Sequence, residues 1–171
     1  TAGSTLLPVV QVCAVNSSNA GGTTYGGSIS VVVDVGPVGA TISGGGAAAP
    51  VSGCASFPAL QLTKVGSYQL RGLSTGLTSV ASPAFTVSPG LASKLGFLTQ
   101  PPSTTAGQAW PAIQIAVQDA FGNTVPTASN TITISTPGCQ IYRPAFGACL
   151  AGSLSSPAVG GIATFATLRP R

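Results

Sequence analysis

Four cysteines are the residues whose chemistry is easiest to place: Cys13, Cys54, Cys139 and Cys149. They include no CxxC pair, and the chain has no His, so tetrahedral zinc ligation is not the expectation. Disulfides are, with three pairings open in principle. Cys139 and Cys149 bracket QIYRPAFGA, a short segment holding Pro and Gly, and are expected to clip a local loop. Two such bonds imply an oxidising compartment, extracellular or at the cell surface. The plainer alternative is four buried free thiols in a cytosolic protein.

Acid–base chemistry is poorly supplied. The chain has no Glu and no His, and only two Asp, Asp34 and Asp119. General acid–base catalysis needs a positioned group of that kind. The two aspartates lie far apart in sequence, so they do not offer the carboxylate pair of a glycosidase. Ser is abundant, but no GxSxG elbow and no His base accompany it. Asp119 with Asn123 is a thin calcium candidate, since calcium sites gather several oxygen ligands. Its plainer reading is a turn. Gly44-Gly45-Gly46 precedes Ala and Pro instead of Lys-Ser/Thr, so it reads as a flexible loop and not a phosphate cradle. The expectation is a non-enzyme with no cofactor and no metal.

Three aromatic residues and one asparagine remain as candidates for contact. Trp110 stands just before an alternating stretch; exposed it would stack on a sugar or a protein, buried it would cap a core. Burial or packing between domains is the favoured reading. Tyr142 and Phe146 lie inside the clipped segment, as a small binding tip or as cover for the base of their own loop. Asn16-Ser17-Ser18 is a glycosylation sequon, useful only in a secreted chain.

The elements that carry these residues are strands. Charged residues make up 5% of the chain, against about 25% in an average soluble domain. Hydrophobic residues make up 44%, which argues against disorder. With 23 Gly and 14 Pro the class is all-β with many turns. No segment keeps helical periodicity over three turns, and no apolar run approaches the roughly 20 residues of a membrane helix. Membrane insertion is therefore not expected. The net charge of +4 comes from scattered Lys and Arg, so nucleic acid is not an expected partner either.

Pro111–Gln118 alternates, with Ile113, Ile115 and Val117 on one face, and leads into the turn cluster Asp119–Asn123. Pro8–Val15 is a weaker copy with Val10, Val12 and Ala14 on the matching face. Cys13 then falls on the outer face. Gly53-Cys54-Ala55-Ser56-Phe57 matches Gly161-Ile162-Ala163-Thr164-Phe165; if Ala55 and Phe57 point inward, Cys54 points outward. Cys13 and Cys54 are thus expected to meet outside the core, on neighbouring antiparallel strands.

Further strands are expected at Ser28–Val35 (Ile29, Val31, Val33 and Val35 on one face, Asp34 solvated on the other), Ala40–Ser43, Cys54–Leu62, Val65–Gly72 and Ser82–Ser88. After Pro89-Gly90-Leu91-Ala92-Ser93, the expected linker, others follow at Lys94–Thr99 (Leu95 and Phe97 inward), Asn130–Ser135, Ala148–Ser153 and Gly161–Leu168. Short strands at intervals of about 8–12 residues or somewhat more read as β-sandwich architecture. Two domains are expected, residues 1–90 and 91–171.

The tract Ser93-Lys94-Leu95-Gly96-Phe97-Leu98-Thr99-Gln100-Pro101, then Thr105-Ala106-Gly107, then Val117-Gln118-Asp119-Ala120-Phe121-Gly122-Asn123, resembles a bacterial immunoglobulin-like repeat of the kind found in invasin-like and intimin-like surface proteins. Gly161–Phe165 and Val65–Leu70 fit the same pattern. The resemblance implies two tandem Ig-like β-sandwich domains in an extracellular or cell-surface protein. It implies as partners neighbouring copies or adjacent Ig-like domains, and glycans for an adhesin. Each copy departs from the pattern at one end. The first opens at Thr1-Ala2-Gly3 without a counterpart of Lys94–Thr99. The second closes at Leu168–Arg171 without counterparts of VGSYQLRG and SPAFTVS. In the first copy Asn16-Ser17-Ser18-Asn19 replaces the Asp119 cluster. The chain, which has no Met, is therefore expected to be a portion of a longer array, or a subunit whose missing strands come from neighbours. A surface stalk or self-assembling filament is the leading functional expectation, and an adhesin binding glycan or protein through its loops is the alternative.

Overall fold

The structure is a computed structural model and describes residues 1–18, 20–21, 24–136 and 149–171. Among the described residues every regular element is a strand. The chain divides into two compact units, Thr1–Gly90 and Leu91–Arg171.

The first unit contains β1 (Val10–Cys13), β2 (Ile29–Val35), β3 (Ile42–Ser43), β4 (Cys54–Phe57), β5 (Gln61–Leu62), β6 (Gly66–Ser74), β7 (Val80–Ala81) and β8 (Phe85–Val87). β1 pairs antiparallel with β4, and β6 pairs with β2, β7 and β8. Side chains from the two sheets meet in one cluster, Ile29, Val31, Ala55, Phe57, Leu60 and Leu70. A second cluster joins Ala2, Leu62, Tyr68 and Val87. β6 alternates as its sequence suggests: Tyr68 and Leu70 are buried, and Gln69 and Arg71 face out. The Tyr68 hydroxyl donates to the Lys64 carbonyl at 2.8 Å, so the phenol enters the core with its polar end satisfied. Burial pushes its pKa above the ordinary value.

Three expectations change here. Cys54–Leu62 is two strands, because Pro58 has no N–H to continue a ladder. Val35 does not join the inner face of β2: the register with β6 shifts between Val33 and Val35, and Val35 is half exposed. Asp34 is not simply solvated, since Arg71 grips it from Nε at 2.8 Å and from Nη2 at 2.6 Å. That grip holds the Asp34 carboxyl below its usual pKa.

The second unit contains β9 (Lys94–Phe97), β10 (Ile113–Gln118), β11 (Thr131–Thr133), β12 (Leu150–Ala151), β13 (Ser155–Pro157), β14 (Ile162–Phe165) and β15 (Arg169–Pro170). β10 is the middle strand of β14-β10-β9, while β11 pairs with β13 and β12 with β15. The core joins Ile113, Ile115, Val117, Ile132, Ala163, Phe165 and Leu168, with Ala158.

One frame of backbone hydrogen bonds recurs in both units. Leu6 N–H donates to Leu60 and Trp110 N–H to Leu168, each at 2.9 Å. Ala14 donates to Gly53 at 2.9 Å, and Val117 to Gly161 at 2.8 Å. Asn16 donates to Ala20 and Asp119 to Asn123, both at 2.9 Å. The tight turn before β4 has φ of 52° at Ser52 and 79° at Gly53; the turn before β14 has 59° at Gly160 and 78° at Gly161. Two successive positive φ values are what a two-residue hairpin of the right twist requires.

Candidate functional site

Chemistry at the two carboxylates is the first thing the side chains decide. Asp119 is 1% exposed. Its Oδ1 accepts from the amides of Phe121 and Asn123, both at 2.9 Å, and its Oδ2 accepts from Asn123 Nδ2 at 2.9 Å. An ionised carboxylate has only acceptor sites, and these are committed to closing the turn. Among the described residues no three His, Cys, Asp or Glu side chains gather in a way that could hold a metal. Asp34 is occupied by Arg71. The Asp119 side chain closes the Asp119–Asn123 turn.

Asn16 takes the same job in the first unit. Its Oδ1 accepts from Ser18 N–H at 2.9 Å and from Ala20 N–H at 3.0 Å, the same two positions along the chain although the sequence differs. Asn16 is exposed, and the two bonds use its oxygen. Nδ2, the atom a sugar would join, takes no part in them.

Cys13 and Cys54 sit opposite each other in the β1–β4 ladder and are joined, with Cα atoms 4.0 Å apart. That spacing suits a pair whose amides point away from one another. Both lie off the core face, where Ala55 and Phe57 are buried instead. Cys149 is disulfide-bonded. Cys139, Tyr142 and Phe146, and with them the segment expected to be clipped, lie outside the described residues.

Trp110 packs half-buried against the core of the second unit. Its indole nitrogen is buried with no hydrogen-bond partner among the described residues. The ring serves packing, at the cost of one unsatisfied donor.

Two grooves, neither of them marked by a motif, lie beside β1 and beside β9. In the first unit a groove of about 720 Å³ runs along β1, with Val10 and Val12 on one side and Leu70, Gly72, Val80 and Phe85 on the other. β1 has β4 on one edge and, among the described residues, no strand on the other. In the second unit a smaller groove of about 380 Å³ lies between β9 and β11, lined by Leu95, Val117 and Ile132.

β9 corrects the expectation for Leu95 and Phe97. Both lie opposite buried residues, Val117 and Ile115, and so on the inner face. Yet Leu95 is 57% exposed and Phe97 48%, with no further strand over them among the described residues. Sequence reading also passed over Val80 and Ala81, whose two-residue strand forms part of the first groove. Such a short piece carries no periodicity.

Comparison with family models, curated proteins and solved structures finds no match.

Proposed function

We propose that this chain is a non-enzymatic structural module of an extracellular stalk or filament, built from two Ig-like β-sandwich domains. The observation that carries the reading is the pair of open grooves set in a shared hydrogen-bond frame. Each unit has an apolar groove beside its core strand. The disulfide between Cys13 and Cys54 suits an oxidising compartment. Among the described residues no helix is long and apolar enough to cross a membrane. The carboxylates are committed to turn closure and to an arginine, which favours a mechanical role over a chemical one.

Imaging of purified material tests this. Copies of the chain joined genetically end to end are expected to give beaded rods whose length grows with copy number. Compact particles of constant shape that bind a glycan array would replace the structural role with recognition.

A further inference from the structure

β1 and β10 pair in matching register with their neighbours. Val10, Gln11, Val12 and Cys13 face Phe57, Ser56, Ala55 and Cys54. Ile113, Gln114, Ile115 and Ala116 face Phe165, Thr164, Ala163 and Ile162. Val12 therefore corresponds to Ile115, and Ala14 to Val117. On the far edge of β10, Ile115 faces Phe97, Ala116 faces Gly96 and Val117 faces Leu95. A strand of that type laid on β1 would put Phe beside Val12 and Leu beside Ala14. Gly96 would come opposite Cys13 and add no side chain next to the disulfide.

The far edge of β1 is available for such a strand. Ala14 N–H points to β4, so by alternation the amides of Gln11 and Cys13 point the other way. Beneath that edge lies the first groove, floored by Leu70, Val80 and Phe85. At home the groove beside β9 is smaller, and the strand's two large side chains stay half exposed. Moving the strand exchanges one ladder for another and gives Leu95 and Phe97 apolar cover, set against the cover that Ile115 and Val117 lose.

We propose that the groove along β1 is an acceptor for the Lys94–Thr99 strand of a second copy of the chain, paired antiparallel to β1. The proposal rests on the structural reading above and names its donor and acceptor. Because the two surfaces differ, each copy both gives and receives, and the contact propagates head to tail.

Sedimentation of the intact chain is the test. It is expected to show concentration-dependent association, dispersed by an excess of the peptide SKLGFLTQ but not by the same peptide carrying Phe97→Asp. Val80→Lys is expected to reduce the association at least tenfold; Val80 is 59% exposed, so the unit keeps its fold. A chain that stays monomeric at concentrations where the peptide saturates it overturns the proposal, as does association untouched by both peptide and Val80→Lys. A third protein separates this failure from failure of the structural reading. It carries the Ser93–Thr104 sequence ahead of Thr1, and is expected to melt higher and to remain monomeric. If it melts higher while the parent chain never associates, the second copy is not the donor, yet the Ig-like frame stands. If neither peptide nor extension has any effect, both ideas fall.

Discussion

The same strand is built twice in this molecule and ends in two different conditions. In the second unit Ile113 and Ile115 are 0% and 5% exposed, flanked by β14 on one side and β9 on the other. In the first unit Val10 and Val12 hold the corresponding places and are only half buried. Their partners across the other edge are equally buried in both: Ala55 with Ala163, Phe57 with Phe165. Among the described residues the difference therefore lies in one neighbouring strand and not in the frame. It extends to the outer face. Ala116 and Ile162 face each other in the second unit, where the first has Cys13 and Cys54. A strand held along a single edge is stapled, while a strand held along both is left to packing.

Removing the staple should separate the two units most. The double change Cys13→Ala with Cys54→Ala opens a loop with a sequence separation of 41 residues. Chain entropy assigns such a crosslink about 4 kcal/mol. Calorimetry should show the transition of the first unit falling while that of the second stays put; a common shift would mean that the units do not unfold separately. The turns come next. Asp119→Ala strands the buried donor of Asn123 and the part-buried donor of Phe121, and should cost about 2–3 kcal/mol in urea unfolding. Asn16→Ala, at an exposed turn, should cost about 1 kcal/mol or less. Equal losses would show that the difference in burial between the two turns carries no energetic weight. Ser52 is the only non-glycine residue with a positive φ among those described, at the place where the second unit has Gly160. Ser52→Gly should raise the stability of the first unit by about 1 kcal/mol, the ordinary penalty for an L-residue there.

The smallest effect is electrostatic. Arg71 lowers the Asp34 pKa by hydrogen bonding. A lowered folded-state value contributes stability that is present above the unfolded pKa of about 4 and lost as pH falls through the folded value. Thermal melts of the first unit should thus decline slightly below about pH 4, and the Asp34→Asn variant should lose that slope. The second unit has no equivalent ion pair among its described residues.

Much of this was legible because it is local. Alternation along Val10–Ala14 and Ile113–Val117 fixed the inner faces, and parity alone sent Cys13 and Cys54 to the same outer side. The Asp119 turn could be read from side-chain chemistry. What escaped depends on partners distant in sequence. Leu95 and Phe97 alternate as core residues do, and nothing in their own segment records that they stay half exposed. Asp34 meets Arg71 across 37 positions, near a register shift that no local pattern announces. β7, β13 and β15 have two or three residues each, too few to show a period. The groove itself is a property of absence, visible only once the neighbours of β1 are counted.

The bond between Cys13 and Cys54 also bears on how the chain responds to tension. A pull applied at its two ends passes through the sulfur atoms and bypasses the segment between them. Its sequence separation of 41 residues, at about 3.5 Å each, amounts to roughly 140 Å of contour held in reserve. An oxidised first unit therefore yields in short steps under load, and a reducing agent would release the stored length.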